Sequence, residues 1–126
     1  MTPERLLIVY NAEAGIAAGI RDSIHKLLKP ETYPCSLCAL THGVLREDPA
    51  WKQFLARMPL DVRVYHRPDF RDRYPDEQLP LPAVLVERGR EVRVLIGADE
   101  LKTLASVDAL TARIGERLSA SAAPSA

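Results

Sequence analysis

The chain has no excess charge of either sign, since 17 Lys and Arg offset 17 Asp and Glu among 126 residues. With no positive field to neutralise phosphates and release their counterions, nucleic acid is not expected as a partner. Apolar runs of membrane length are missing near the start: residues 6–10 make a run of strand length, far below the roughly 20 residues of a bilayer-crossing helix. Nothing at the N-terminus combines a basic region, an apolar stretch and a small-residue cleavage site. A soluble, cytoplasmic protein without a membrane partner is expected. The sequence also lacks a Gly-x-x-x-x-Gly-Lys-Ser/Thr phosphate loop, a Gly-x-Ser-x-Gly elbow and a His-Glu-x-x-His pair, so it gives no support to the chemistry that each of those motifs carries. Aromatic residues make up only 6%, and cysteine is limited to two.

At 126 residues and 47% apolar content, the chain suits one core and leaves little for a second. A single domain is expected over residues 1–118, with an inserted cysteine-bearing segment at 29–47 and a disordered small-residue tail at 119–126. Residues 5–10, β-branched and continuously apolar, read as a strand covered on both faces. Asn11 then caps a helix whose apolar stripe runs through Ile16, Ile20 and Ile24 until Pro30. Asp48 and Pro49 form the cap and first position of a second helix, with Trp51, Phe54, Leu55 and Met58 on its buried face.

Residues 61–66 alternate, which sets Val62, Val64 and His66 on one side of a strand. Residues 67–81 are rich in proline and charge and read as a long loop with a helical turn near 69–73. Two strands follow, at 83–86 and 91–96, joined by a tight turn around Gly89 into a hairpin. Asp99 is positioned to cap a short turn, and Val107, Leu110, Ile114 and Leu118 define a final amphipathic helix. The fold class expected is α/β, a four-stranded mixed sheet with a parallel strand-helix-strand unit and a C-terminal hairpin, flanked by helices.

Both cysteines fall in the string Tyr33-Pro34-Cys35-Ser36-Leu37-Cys38-Ala39-Leu40-Thr41-His42. Their Cys-x-x-Cys spacing supports two chemistries. In one, Cys35 and Cys38 cycle between dithiol and disulfide, the more exposed sulfur attacking a protein or small-thiol partner. In the other they bind a metal, zinc being the best match for thiolate and imidazole ligands, with His25, His42 or His66 completing the set. The spacing of His25, Cys35, Cys38 and His42 follows no standard zinc-finger pattern. A third account makes the protein a binding module, with the proline-rich loop at 67–82 holding a partner and the cysteines bracing the fold. His66 stands at the carboxyl end of a parallel strand, where open α/β sheets receive ligands.

The string from Leu81-Pro82-Ala83-Val84-Leu85-Val86 through Gly89 and Val92 to Ile96-Gly97-Ala98 resembles the second half of thioredoxin-like domains. The Tyr-Pro-Cys-x-Leu-Cys-Ala-Leu-Thr string is similar to that of small bacterial thioredoxin-like proteins of uncharacterised role. The resemblance implies a thioredoxin-like sheet and a cis proline at Pro82 facing the active site, and it supplies a fold without an activity. Cys35, Cys38 and Pro82 are the catalytic candidates, because that fold so often serves redox exchange. The chain departs from that family in one respect. Thioredoxins carry Cys-x-x-Cys directly after the first strand, where this sequence reads Asn11-Ala12-Glu13-Ala14-Gly15. Asn11 and His66 are therefore the candidate binding residues around a displaced cysteine pair. If the chain after residue 31 climbs back to the carboxyl end of the strands, the cysteines can join His66 and Pro82 in one site. If it stays at the other end, they meet only His25 and His42, and a local metal site is the better account.

Overall fold

The computed structural model describes residues 4–12, 35–41 and 47–122. Four strands form one mixed sheet: β1 (Glu4–Val9), β2 (Asp61–Tyr65), β3 (Ala83–Arg88) and β4 (Glu91–Ile96), in the order β2-β1-β3-β4. β1 runs parallel to β2 and antiparallel to β3, and β3 and β4 form the antiparallel hairpin. Five helices are present among the described residues: α1 (Ser36–Thr41), α2 (Pro49–Ala56), α3 (Arg67–Arg73), α4 (Ala98–Leu101) and α5 (Val107–Ala122). The helix expected after Asn11 lies outside the described residues.

β1 is central and apolar on both faces, as its unbroken run requires. Leu6 and Ile8 join Val84, Val86 and Ile96 on one face, against Leu37, Trp51, Leu101, Leu110 and Ile114. Leu7 and Val9 join Ala83 and Leu85 on the other, under Phe70. The hairpin turns at Gly89, whose φ of 62° is open to glycine at little cost. β3 extends to Arg88, two residues beyond the expected strand end at Val86.

Most of the expected helices form, with changes that have local causes. Asp48 caps α2 as expected, its Oδ1 accepting from the amides of Ala50 at 2.8 Å and Trp51 at 3.4 Å. Met58 lies beyond the end of α2, and Trp51 is its one fully buried residue. Within the expected loop, α3 starts at Arg67 rather than Asp69. Pro68 suits its first turn, and Arg71 and Arg73 complement the dipole at its end. Phe70 on α3 is fully buried and closes the smaller core. α4 is capped by Gly97, so Asp99 lies in its first turn instead of capping it. α5 begins on a Ser106 cap, with Ala109 N–H donating to its Oγ at 3.1 Å. The helix continues through residues 119–122, which the sequence reading gives to the tail, because alanine and serine carry little helix penalty.

Val64 lies on the same face as Val62 but is 47% exposed, because β2 is an edge strand. Val62 packs against the larger core. Across the sheet, Arg117 on α5 donates to the carbonyl of Leu95 at 3.1 Å, tying the helix to the other edge strand. Among the described residues, no helix is long and apolar enough to cross a membrane.

Candidate functional site

Parallel pairing brings the carboxyl ends of β1 and β2 together, and antiparallel pairing adds the start of β3. Val9 stands opposite both Tyr65 and Ala83. The residues that follow, Tyr10 and Asn11 after β1 and His66 and Arg67 after β2, therefore gather at one end of the sheet, with Pro82 immediately before Ala83. The amide of Tyr10 donates to the carbonyl of Tyr65 at 2.9 Å and that of Arg67 to the carbonyl of Ala12 at 3.0 Å. These bonds continue the β1–β2 pairing beyond the strands.

Cys35 belongs to this end. Its Sγ accepts the Asn11 amide at 3.3 Å, and the residue has no exposed surface. Cys35 thus lies beside the carboxyl end of β1. Cys35 directly precedes α1, so the Cys-x-x-Cys string enters a helical turn. Leu37 of that turn is fully buried in the larger core, which holds the segment down. Thr41 at its end donates from Oγ1 to the Leu37 carbonyl at 2.9 Å and meets the Tyr10 hydroxyl at 3.3 Å.

Cys35 is disulfide-bonded, and Cys38 is the one other cysteine in the sequence. The side chain of Cys38 lies outside the described residues. A sulfur held in a disulfide is not a thiolate ligand, so the zinc reading lacks its Cys35 ligand in this form. Of its histidine candidates, His25 and His42 lie outside the described residues. Among the described residues, no group of three or more His, Cys, Asp and Glu is placed to hold a metal ion.

His66 is half-buried, its ring 5.9 Å from that of Tyr10. It follows β2 rather than ending it, and caps α3 through its backbone alone. Its Nδ1 approaches a carboxylate oxygen of Asp69 at 3.8 Å. The Leu81–Pro82 peptide bond is cis. Asn11 engages Cys35 through its amide and Arg67 through its side chain, the Arg67 Nη1 donating to Asn11 Oδ1 at 3.0 Å. The helix that Asn11 was expected to cap lies outside the described residues.

Arg67 is the site residue that motif reading passes over. The available signal was its position, directly after a strand that ends at the ligand-receiving side of the sheet. Tyr10 was read only as the end of a strand, yet it supports the site from below. Burial pushes its hydroxyl above the ordinary value of 10.0, a rise opposed by the hydrogen bonds to Thr41 and Trp51 and reinforced by the charge of Glu47.

Chemically, this end of the sheet offers a sulfur with a hydrogen-bond donor aimed at it, a guanidinium one residue removed through Asn11, and an imidazole beside Tyr10. Comparison with known protein families, with curated proteins and with solved structures finds no match for this chain.

Proposed function

We propose that this chain is a thioredoxin-like dithiol–disulfide protein that exchanges electrons with a protein or small-thiol partner through Cys35 and Cys38. One observation carries the reading: the Asn11 amide, directly beyond the end of β1, donates to the Cys35 sulfur at 3.3 Å. A segment remote in sequence thus lies beside the residue that follows β1, and thioredoxins carry their own first cysteine directly after the first strand, which supports the reading. The disulfide at Cys35 and the approach of Pro82 to the same sheet end support it further. The β2-β1-β3-β4 order, with its parallel pair and hairpin, is compatible with a thioredoxin-like arrangement.

The burial of Cys35 supports one division of roles within the pair. A sulfur with no exposed surface cannot receive an external nucleophile in line, so the partner thiolate attacks Cys38. The bond between that thiolate and the Cys38 sulfur forms as the intramolecular disulfide breaks, and the electron pair leaves on Cys35. A second partner thiol then resolves the mixed disulfide. Two partner thiols are oxidised to a disulfide, and the protein disulfide is reduced to two thiols. This order reverses the usual expectation that the first cysteine of the motif attacks.

The test is metal analysis and thiol titration on freshly purified protein, followed by equilibration of a chelator-treated portion in glutathione buffers of graded poise. Reversible interconversion of two thiols and one disulfide, lost in the C35S/C38S double variant while the fold persists, is the expected result. Stoichiometric zinc that protects both thiols until chelation, or a disulfide that opens only on unfolding, would overturn the reading.

A further inference from the structure

We propose that Arg67 is a positioning residue that sets the redox poise of the cysteine pair by acting through Asn11 on Cys35. The proposal rests on the dithiol–disulfide reading above and goes beyond it by naming what tunes that site.

The geometry is a three-part relay. Arg67 holds the turn after β1 at two points, its own amide on the Ala12 carbonyl and its Nη1 on Asn11 Oδ1, each at 3.0 Å. The Asn11 amide between those two anchors points at Cys35 Sγ. Arg67 is half-buried, where a charge is screened less than at the surface. Its planar guanidinium fixes the Asn11 carbonyl in direction, which an ammonium would not do.

The relay matters at the step in which the disulfide breaks. Attack on Cys38 leaves the electron pair on Cys35, a buried sulfur that takes negative charge. A hydrogen bond to a charged acceptor is stronger than the same bond to a neutral one. The Asn11 amide therefore favours the reduced form over the disulfide, and the Arg67 charge adds to that preference. α1, which follows Cys35, has only six residues. The stabilisation is assigned to the turn after β1 and not to that short helix. Loosening the turn should make the dithiol less favourable and the protein a weaker oxidant.

The experiment measures the equilibrium constant of the pair against glutathione in the wild type and in Arg67→Met, Arg67→Lys, Asn11→Ala and the Arg67→Met/Asn11→Ala double variant. Arg67→Met and Asn11→Ala are each expected to shift the equilibrium about tenfold toward the disulfide, a potential about 30 mV lower. The double variant should shift no further than Arg67→Met alone, because Asn11→Ala cuts a link that Arg67→Met has already removed. Arg67→Lys should fall between, keeping charge without the fork. A purely structural role would lower the stability of the oxidised and reduced forms equally in urea and leave the equilibrium constant unmoved; that result overturns the proposal. If Arg67→Met does not fold, the milder Asn11→Ala and Arg67→Lys carry the same comparison. A wild type that never cycles sinks the parent reading, whereas a wild type that cycles beside unmoved variants sinks only the role of Arg67.

Discussion

Tyr10 and Trp51 meet through a buried hydrogen bond, the indole Nε1 donating to the tyrosine oxygen at 3.1 Å. This contact joins the end of β1 to α2 beneath the cysteine segment. The Thr41 hydroxyl spends its proton on the Leu37 carbonyl, so the Tyr10 hydroxyl donates its own to Thr41 and accepts from Trp51.

Tyr10→Phe therefore leaves the fully buried Trp51 indole without this acceptor. An expected loss of about 1–3 kcal/mol in urea denaturation follows from stranding a buried donor. An unchanged midpoint would mean that the indole finds another acceptor in the folded state.

Alkaline pH should weaken the fold through two tyrosines. Burial raises the hydroxyl of Tyr10 above the ordinary value of 10.0, and for Tyr74 burial and then the hydrogen bond to Glu87 act in the same direction. Each favours the neutral form in the folded state. Its contribution is complete below the unfolded value near 10.0 and is lost as pH rises from there through the folded value. Denaturation midpoints should therefore fall above about pH 10, and Tyr74→Phe should flatten part of that decline. Equal slopes in the variant and the wild type would remove Tyr74 from the account.

Reduction should cost stability without unfolding the chain. For a disulfide between Cys35 and Cys38, the closed loop is so short that the chain-entropy model assigns it only about 2 kcal/mol. Urea curves with and without a strong thiol reductant check this. Collapse of the fold on reduction would make the bond a structural staple and argue against cycling.

Glu100 ties α4 to α5 through Arg113 and through Arg117, whose Nη2 lies at 2.6 Å, while Arg117 also reaches the Leu95 carbonyl on β4. These groups are partly exposed, so screening limits their worth. Glu100→Gln is expected to cost about 1 kcal/mol, with a smaller loss in high salt. A salt-independent loss would point to packing rather than charge.

Much of the fold was legible because each strand and helix signal lay within a few neighbouring residues. The apolar run of β1, the Asp48-Pro49 start of α2, the glycine turn of the hairpin and the stripe of α5 are local patterns with local causes. The misreadings have a common origin in packing. Phe70 sat in a stretch whose proline and charge spoke for a loop, and its burial depends on a sheet face built by β1 and β3. Val64 alternated correctly, yet its exposure follows from the edge position of β2, which periodicity does not encode.

The same division runs through the site. The sequence by itself determined which side chains are available: two sulfurs in a Cys-x-x-Cys string, a proline before a strand, and polar residues at strand ends. Only the tertiary structure decided that the chain returns Cys35 to the amide of Asn11, and that Arg67 grips the same turn. The physical reason is that a strand end becomes a site only after its neighbours are paired. Pairing β1 with both β2 and β3 converges three chain segments, and the burial of Leu37 seats the cysteine segment over them.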